Sequence, residues 1–317
     1  MLRGRDFRVV LCAVVVAIFL VSGTSSHVGI ASSACRGTLY PQLCISTVST
    51  LFQDLKCKRP PLSNIVSATI NHTLAEVKKS HSESRKYEYS LLRKRQLDAR
   101  DRTALDDCLE LLDQTATELK TSFSDVLSEK RIPDAQALLS AALTNQQTCL
   151  DGFAYSNKQT LRNYFKGSLY NISRHVSNSL AMVSKMPGAD KPSSGNLYGM
   201  TTAEEDGFPR WMNGKDRMLL QTANSTNTSA SVKYDLIVSK DGSGNFSTIN
   251  EALAMAPNSS STRFVIYIKA GAYYEYVEVI KKKTNIMFLG DGIGKTLIKG
   301  NRSVVDGWTT FRSATLG

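Results

Sequence analysis

Residues 105–119 read LDDCLELLDQTATEL, and their apolar side chains recur at steps of three and four residues. This spacing forms one apolar stripe along an amphipathic helix. Two more stripes start at Val66 and Leu139, and proline is nearly absent inside all three stretches. The three stripes contain Leu105, Cys108, Leu109, Leu112, Ala116 and Leu119; Val66, Ile70, Leu74 and Val77; and Leu139, Ala142, Gln146, Cys149 and Phe153. Amphipathic helices joined by short polar segments predict an antiparallel helical bundle, which we place at residues 30–186.

The composition is that of an ordinary globular protein, with 42% hydrophobic and 21% charged residues among 317. This length allows two domains, each with its own core. The net charge of +11 is compatible with nucleic acid, an anionic membrane or an acidic polysaccharide. The basic clusters are short and scattered, without the stripe interleaved with aromatic residues that nucleic-acid binding favours. We therefore expect no nucleic-acid partner and favour an acidic extracellular polymer.

Residues 1–26 have the order of a secretory signal peptide, with three arginines, an apolar run from Val9 to Val21, and small residues after it. The run is shorter than the ~20 apolar residues of a membrane-spanning helix, and an uncleaved signal-anchor is the alternative. Export also suits seven N-x-Ser/Thr sequons as glycosylation sites. These sequons begin at Asn71, Asn171, Asn224, Asn227, Asn245, Asn258 and Asn301.

The cysteines outside the signal number five, and all precede residue 150. They are Cys35, Cys44, Cys57, Cys108 and Cys149. None has C-x-x-C spacing and the four histidines are dispersed, so we expect no metal site. In an exported chain this pattern predicts structural disulfides with one thiol left over. Cys108 and Cys149 lie on two apolar stripes, so that a bond between them would join neighbouring helices.

The chain changes character twice after the helical part. Residues 187–231 are rich in Pro, Gly, Ser, Thr and Asn, which predicts an exposed linker. Residues 232–317 instead have short alternating, β-branched segments separated by Gly, Asn and Asp. The predicted strands are Tyr234–Ser239, Arg263–Lys269, Tyr274–Ile280, Asn285–Leu289 and Thr296–Lys299, with a helical patch at Thr248–Met255. This pattern is typical of a stacked β-solenoid or of the opening of a β-sandwich.

Two glycine-rich segments resemble nucleotide-binding loops. Gly290–Thr296 has Leu289 where a phosphate loop needs its first glycine, and Ser247 replaces the third glycine in Asp241–Ser247. We interpret both segments as tight turns with positive φ and expect no cofactor.

Several longer segments together resemble plant pectin methylesterase (pectinesterase) precursors with an N-terminal pectin methylesterase/invertase inhibitor domain. In the first half these segments are 38–44 (TLYPQLC), 107–111 (DCLEL), 139–145 (LSAALTN) and 148–153 (TCLDGF). In the second half they are 241–252 (DGSGNFSTINEA), 271–275 (GAYYE) and 307–315 (GWTTFRSAT).

The resemblance implies an all-α four-helix bundle followed by the first coils of a right-handed parallel β-helix. It implies the disulfide pairs Cys35–Cys44 and Cys108–Cys149, with Cys57 unpaired. It also implies that a subtilase cuts the linker at Arg217-Met218-Leu219-Leu220, which is similar to the family's Arg-x-Leu-Leu processing site. The product would be secreted to the cell wall.

The implied chemistry is hydrolysis of the methyl esters of pectin (homogalacturonan), which releases methanol. In the family one aspartate attacks the ester, a second is the general acid/base, and two glutamines form the oxyanion hole. All of these follow the segment at 309–315 in the family's order, so we expect them beyond Gly317 and none within the chain. Thr310 is the one residue here that matches a substrate contact, or its hydroxyl only satisfies a turn. We expect Tyr273 and Glu275 to be structural.

Two functions stay open at this stage. In the first, the chain is the front of a pectinesterase whose helical domain inhibits the esterase domain. In the second, it is a non-catalytic inhibitor that binds a separate pectinesterase or invertase.

Overall fold

The computed structural model describes residues 29–53, 60–156, 159–189 and 234–317, which fall into a helical unit and a unit of parallel strands. The predicted signal or anchor at 1–26, residues 190–231 of the linker and Cys57 lie outside the described residues. Within the described part of the chain, no helix is long and apolar enough to cross a membrane.

Among the described residues of the helical unit, five helices follow a short helical segment at residues 29–35. They are α1 (Pro41–Leu51), α2 (Leu62–Arg93), α3 (Ala99–Ser128), α4 (Ile132–Gly152) and α5 (Gln159–Val183). A proline in the first turn starts α1 and α4, where the missing N–H has no helical acceptor. The side chain of Asp98 accepts from the N–H of Asp101 and caps α3, which ends at Glu129 in a left-handed conformation.

The four long helices pack in a closed ring, α2 on α3, α3 on α4, α4 on α5, and α5 back on α2. Residues early in α3 contact residues late in α4, which shows that the two helices are antiparallel. These contacts join Cys108 to Cys149, Thr115 to Gln146 and Glu118 to Asn145. The predicted apolar stripes form the core of this ring, and Val66, Leu105 and Leu139 are completely buried.

The seam between α2 and α5 is polar as well as antiparallel. Its contacts join Thr69 to Ser179, His72 to His175, Ser80 to Ser168, and Tyr87 to Tyr164. Hydroxyls and imidazoles satisfy one another only in one relative position of two helices, whereas aliphatic side chains tolerate sliding. The polar seam therefore fixes the register of α5 on α2.

The described part of the second unit, residues 234–317, contains five short strands and one short helix, α6 (Ile249–Met255). The strands are β1 (Leu236–Val238), β2 (Phe264–Ile268), β3 (Gly271–Tyr274), β4 (Ile286–Gly290) and β5 (Thr296–Lys299). One sheet has the order β1-β2-β4, and a second contains β3 and β5. All three strand pairs are parallel. Parallel stacking of successive short strands is compatible with the opening of a β-helix and differs from the antiparallel pairing of a sandwich.

One predicted strand is wrong. The strand near Tyr274 covers Gly271–Tyr274, and residues 275–280 form no strand beyond an isolated bridge between Val277 and Leu316. The alternating pattern after Tyr274 has another cause, because Val277 and Val279 pack against the core of the unit while Glu278 and Ile280 are exposed. Both expected turns are present, with positive φ at Gly242 and Gly294.

A buried histidine lies in the polar seam of the helical unit. The ring of His175 is 6% exposed and meets the half-buried ring of His72 edge-on, at 5.2 Å between centroids. Burial lowers the pKa of His175 below its ordinary value, and the nearby His72 lowers it further. Glu76, one turn after His72, raises the pKa but does not cancel the other two effects.

We predict that the helical unit loses stability as the pH falls below about 6.5, the pKa of an unfolded histidine. Above that pH His175 is neutral in both states, and below it the unfolded chain binds the proton first because the folded pKa is lower. The measurement is the melting temperature, followed by circular dichroism at 222 nm, between pH 7.5 and pH 5. His175→Gln is expected to reduce this pH dependence, whereas the control His81→Gln keeps it. An equal pH dependence in all three proteins would contradict the prediction.

Candidate functional site

The start of α6 is held by a carboxylate from a distant part of the chain. Glu275, just after β3, accepts hydrogen bonds from the backbone N–H of Ile249 at 3.0 Å and of Asn250 at 3.1 Å. The amide Nδ2 of Asn250 donates to the same carboxylate at 3.1 Å. The first N–H groups of a helix have no partner within the helix, and negative charge is favourable beside them. Glu275 therefore joins β3 to α6 as a structural residue.

Tyr273, two residues before Glu275, anchors β3 in the core of the unit. Its ring is completely buried, and its hydroxyl donates to the carbonyl of Lys269 at 2.9 Å. The ring packs in the core that β2 and α6 form, with Ile249, Leu253 and Ile266. In the sequence GAYYE at 271–275, Tyr273 is thus buried, Tyr274 is exposed, and Glu275 caps the helix with its carboxylate. Tyr273 and Glu275 both make contacts that hold the β unit together.

The segment that begins at Asp241 is a turn stabilised by hydroxyl groups. The carboxylate of Asp241 accepts from the hydroxyls of Ser239 and Ser243, and from the N–H of Ser243 at 2.9 Å. These hydrogen bonds hold the pKa of Asp241 well below its ordinary range. The ammonium of Lys269 donates to Ser243 at 2.7 Å and contributes in the same direction. Asp241 is therefore the hydrogen-bond acceptor that stabilises this turn.

Thr310 lies on the surface at the start of a 3₁₀ turn, Phe311–Ser313. Its side chain makes no capping hydrogen bond to this turn. The hydroxyl of the preceding residue, Thr309, has that role, because it accepts from the N–H of Arg312 at 3.2 Å and is buried. Of the two threonines, Thr310 is thus the exposed one beside the turn. This position leaves substrate contact as a prediction for Thr310.

The helical unit contains both disulfide bonds that the resemblance implies. Cys35 is bonded to Cys44 and Cys108 to Cys149, with Cα atoms 5.7 Å and 4.6 Å apart. Cys108 and Cys149 are buried between α3 and α4. The predicted processing site, Arg217-Met218-Leu219-Leu220, lies outside the described residues.

The segment that Cys35–Cys44 closes is also attached to α5 by side chains that the sequence patterns do not reveal. The amide of Asn178 accepts from the N–H of Tyr40 at 3.1 Å and donates to its carbonyl at 2.9 Å. Lys185 donates to the carbonyls of Ala34, at 2.9 Å, and Arg36. These contacts cross about 140 residues of sequence, so local periodicity carries no signal of them.

Comparisons with known proteins agree with the order of the two units. Residues 30–182 match the family model of plant invertase/pectin methylesterase inhibitors, and residues 235–317 match that of pectinesterases. The chain belongs to the pectinesterase family with an N-terminal inhibitor domain. This confirms the family that the sequence motifs indicate.

The relatives of this pectinesterase-family chain extend over both units. Pectinesterase 2 of Arabidopsis thaliana is 39% identical over 92% of this chain and 51% of its own length. Pectinesterase/pectinesterase inhibitor 3 of the same plant is 38% identical over 92% and 52%. Pectinesterase 1 of Citrus sinensis is 37% identical over 93% and 50%. The chain spans about half the length of the curated relatives it matches.

We predict that Glu275→Ala exposes α6 to local opening. The substitution leaves the N–H groups of Ile249 and Asn250 without their charged acceptor, at a cost of about 1.5–3 kcal/mol. The expected result is amide hydrogen exchange about 10- to 100-fold faster at residues 249–256, with little change in the helical unit.

The matched control is Glu278→Ala, which removes an exposed glutamate three residues later in the same unit. It is expected to leave exchange in α6 unchanged. If Glu275→Ala also leaves it unchanged, the carboxylate does not stabilise the helix.

Proposed function

We propose that this chain is the N-terminal half of a secreted pectinesterase precursor. The whole protein hydrolyses the methyl esters of pectin to carboxylates and methanol, and the helical unit inhibits the esterase until the two parts are separated. The observation that carries the proposal is the presence in one chain of an inhibitor-family match followed by a pectinesterase-family match. Names of relatives such as "pectinesterase/pectinesterase inhibitor" combine the same two activities.

The proposed architecture follows the same division. The helical unit is a four-helix inhibitor bundle, and the second unit forms the first coils of a right-handed parallel β-helix. The closed ring of α2 to α5 and the parallel strand pairs support these assignments. We propose no nucleophile among the aspartates of this chain, because the motif order of the family puts the catalytic residues after 309–315. Thr310 is the proposed substrate contact.

The proposed route to the cell wall begins with the signal at residues 1–26. A subtilase then cuts the linker at Arg217-Met218-Leu219-Leu220 and releases the esterase from the inhibitor. Two family matches separated by a polar linker support this order, since exposed polar linkers are where proteolysis concentrates.

Inhibition of a pectinesterase by the helical unit tests the proposal. Residues 27–189, produced with both disulfides formed, are expected to suppress methanol release from methyl-esterified pectin by a plant pectinesterase. We expect saturation at one helical unit per esterase and a Kd of about 1 µM or tighter, as for a standard-size protein interface. The measurements are a methanol assay and calorimetric titration.

A plant invertase under the same conditions is the comparison that separates the two known targets of the inhibitor family. Inhibition of the invertase alone would replace the proposed auto-inhibition by an invertase-directed role. Binding to neither enzyme, by a helical unit shown to be folded by circular dichroism, would overturn the inhibitory proposal.

A further inference from the structure

Arg302 lies between two aromatic rings at the surface of the β unit. Its guanidinium carbon is 3.8 Å from the ring centroid of Tyr276 and 3.8 Å from that of Trp308. Two rings at this distance cannot share one face of a guanidinium group, so they cover both faces. The three residues Tyr276, Arg302 and Trp308 are called the Arg302 clamp below. Trp308 is 38% exposed and Arg302 is half-buried, so the clamp is open to solvent on one side.

The backbone around Arg302 is fixed before any ligand arrives. The hydroxyl of Tyr276 accepts from the N–H groups of Asn301 and Arg302, each at 2.7 Å, and donates to the side chain of Asn301 at 3.0 Å. A Cβ at Gly300 would lie 2.7 Å from the ring of Tyr276, so this close approach needs glycine. Further on, the N–H of Trp308 donates to the carbonyl of Ser303 at 3.2 Å and closes the loop. Preorganisation of this kind reduces the entropy cost of binding.

The charge of Arg302 has no counterion in the described part of the chain. No carboxylate there forms an ion pair with Arg302, and the nearby Asp306 accepts instead from the hydroxyl of Ser303 at 2.5 Å. Arg131 in the helical unit, by contrast, is paired with Asp134. A half-buried guanidinium without a counterion favours binding of an anion.

The geometry selects the kind of anion. The N–H groups of a guanidinium lie in its plane, so rings on its faces do not block them, and its edge matches the two oxygens of a carboxylate. The exposed ring of Trp308 adds an apolar surface beside the charge. A sugar acid presents this combination, a carboxylate on a ring with apolar C–H groups. Another cation–aromatic contact lies nearby in sequence, where the ammonium of Lys299 is 5.7 Å from the ring centroid of the exposed Tyr274.

We propose that the Arg302 clamp binds the free carboxylate of a galacturonate residue in de-esterified pectin. This inference rests on the proposed function for the choice of polymer. A methyl ester has no charge to pair with Arg302, so the clamp distinguishes the product of the esterase reaction from its substrate. Trp308 is two residues before Thr310, so the clamp adjoins the proposed substrate contact. An esterase with this subsite is held on stretches of pectin that are already de-esterified.

The test measures binding of oligogalacturonates to the full 317-residue chain by fluorescence. The chain has two tryptophans, and Trp211→Phe leaves Trp308 as the one indole reporter, placed in the clamp itself. The protein is made without N-glycans, because Asn301 begins a sequon next to Arg302. The probes are a fully de-esterified oligogalacturonate and its fully methyl-esterified counterpart of equal length. We expect the de-esterified probe to change Trp308 fluorescence and to bind at least about 10-fold more tightly.

Variants identify the contribution of the clamp. Arg302→Gln is expected to weaken binding of the de-esterified probe about 10-fold or more, and Arg302→Lys to weaken it less, since lysine keeps the charge but not the planar edge. Lys282→Gln is the matched control, because it removes one positive charge from an exposed position of the same unit. It is expected to change the Kd less than about twofold, as a screened surface charge would. Circular dichroism checks that all variants fold alike.

Three outcomes would overturn the inference. They are equal binding of the two probes, equal loss in Arg302→Gln and Lys282→Gln, and no binding of the de-esterified probe. The result is separable from the inhibition test, which uses residues 27–189 and not the β unit. If inhibition fails while the clamp binds, the clamp remains a site for acidic polysaccharide. If inhibition succeeds while the clamp does not bind, this inference alone fails.

Discussion

The β unit depends on one long-range interaction, the hydrogen bonding of Glu275 to the start of α6. It satisfies N–H groups that the short helix cannot satisfy itself, and it fixes the chain where β3 ends. The next residue is Tyr276, whose hydroxyl holds the backbone of Asn301 and Arg302. The position of the loop at 300–308 follows from this contact, and that loop carries Trp308 and leads to Thr310. A structural carboxylate therefore positions the exposed residues for which we propose a binding role.

In the helical unit, polar contacts select one register among the many that long amphipathic helices could adopt. Aliphatic stripes give most of the burial, but they permit sliding. The disulfide between Cys108 and Cys149 and the hydrogen bond of Thr115 with Gln146 fix α4 on α3. The polar seam from Thr69–Ser179 to Tyr87–Tyr164 fixes α5 on α2. Specific polar contacts inside an apolar core thus determine the arrangement, while apolar burial supplies the driving force.

Much of this fold was accessible from sequence because its signals are local. The spacing of Leu105, Cys108 and Leu112 indicates a helix within about two turns, and the short β-branched runs indicate strands. The strand expected at Tyr274–Ile280 shows where such reasoning fails. Alternation there reflects Val277 and Val279, which pack against the core, but whether the segment joins a sheet depends on partners far along the chain, Thr315 and Gly317. The clamp was missed for the same reason, since Tyr276 and Arg302 are 26 residues apart.

The sequence by itself determined the family and the division into a helical and a β part, because motifs and periodicity are properties of neighbouring residues. Tertiary structure alone decided which threonine of the 309–310 pair faces solvent and which caps the turn. It also decided that Asp241 accepts the hydrogen bonds of its turn and that Arg302 has no counterion among the described residues. These properties depend on burial and on the partners that folding brings near, and segments far apart in the chain supply both.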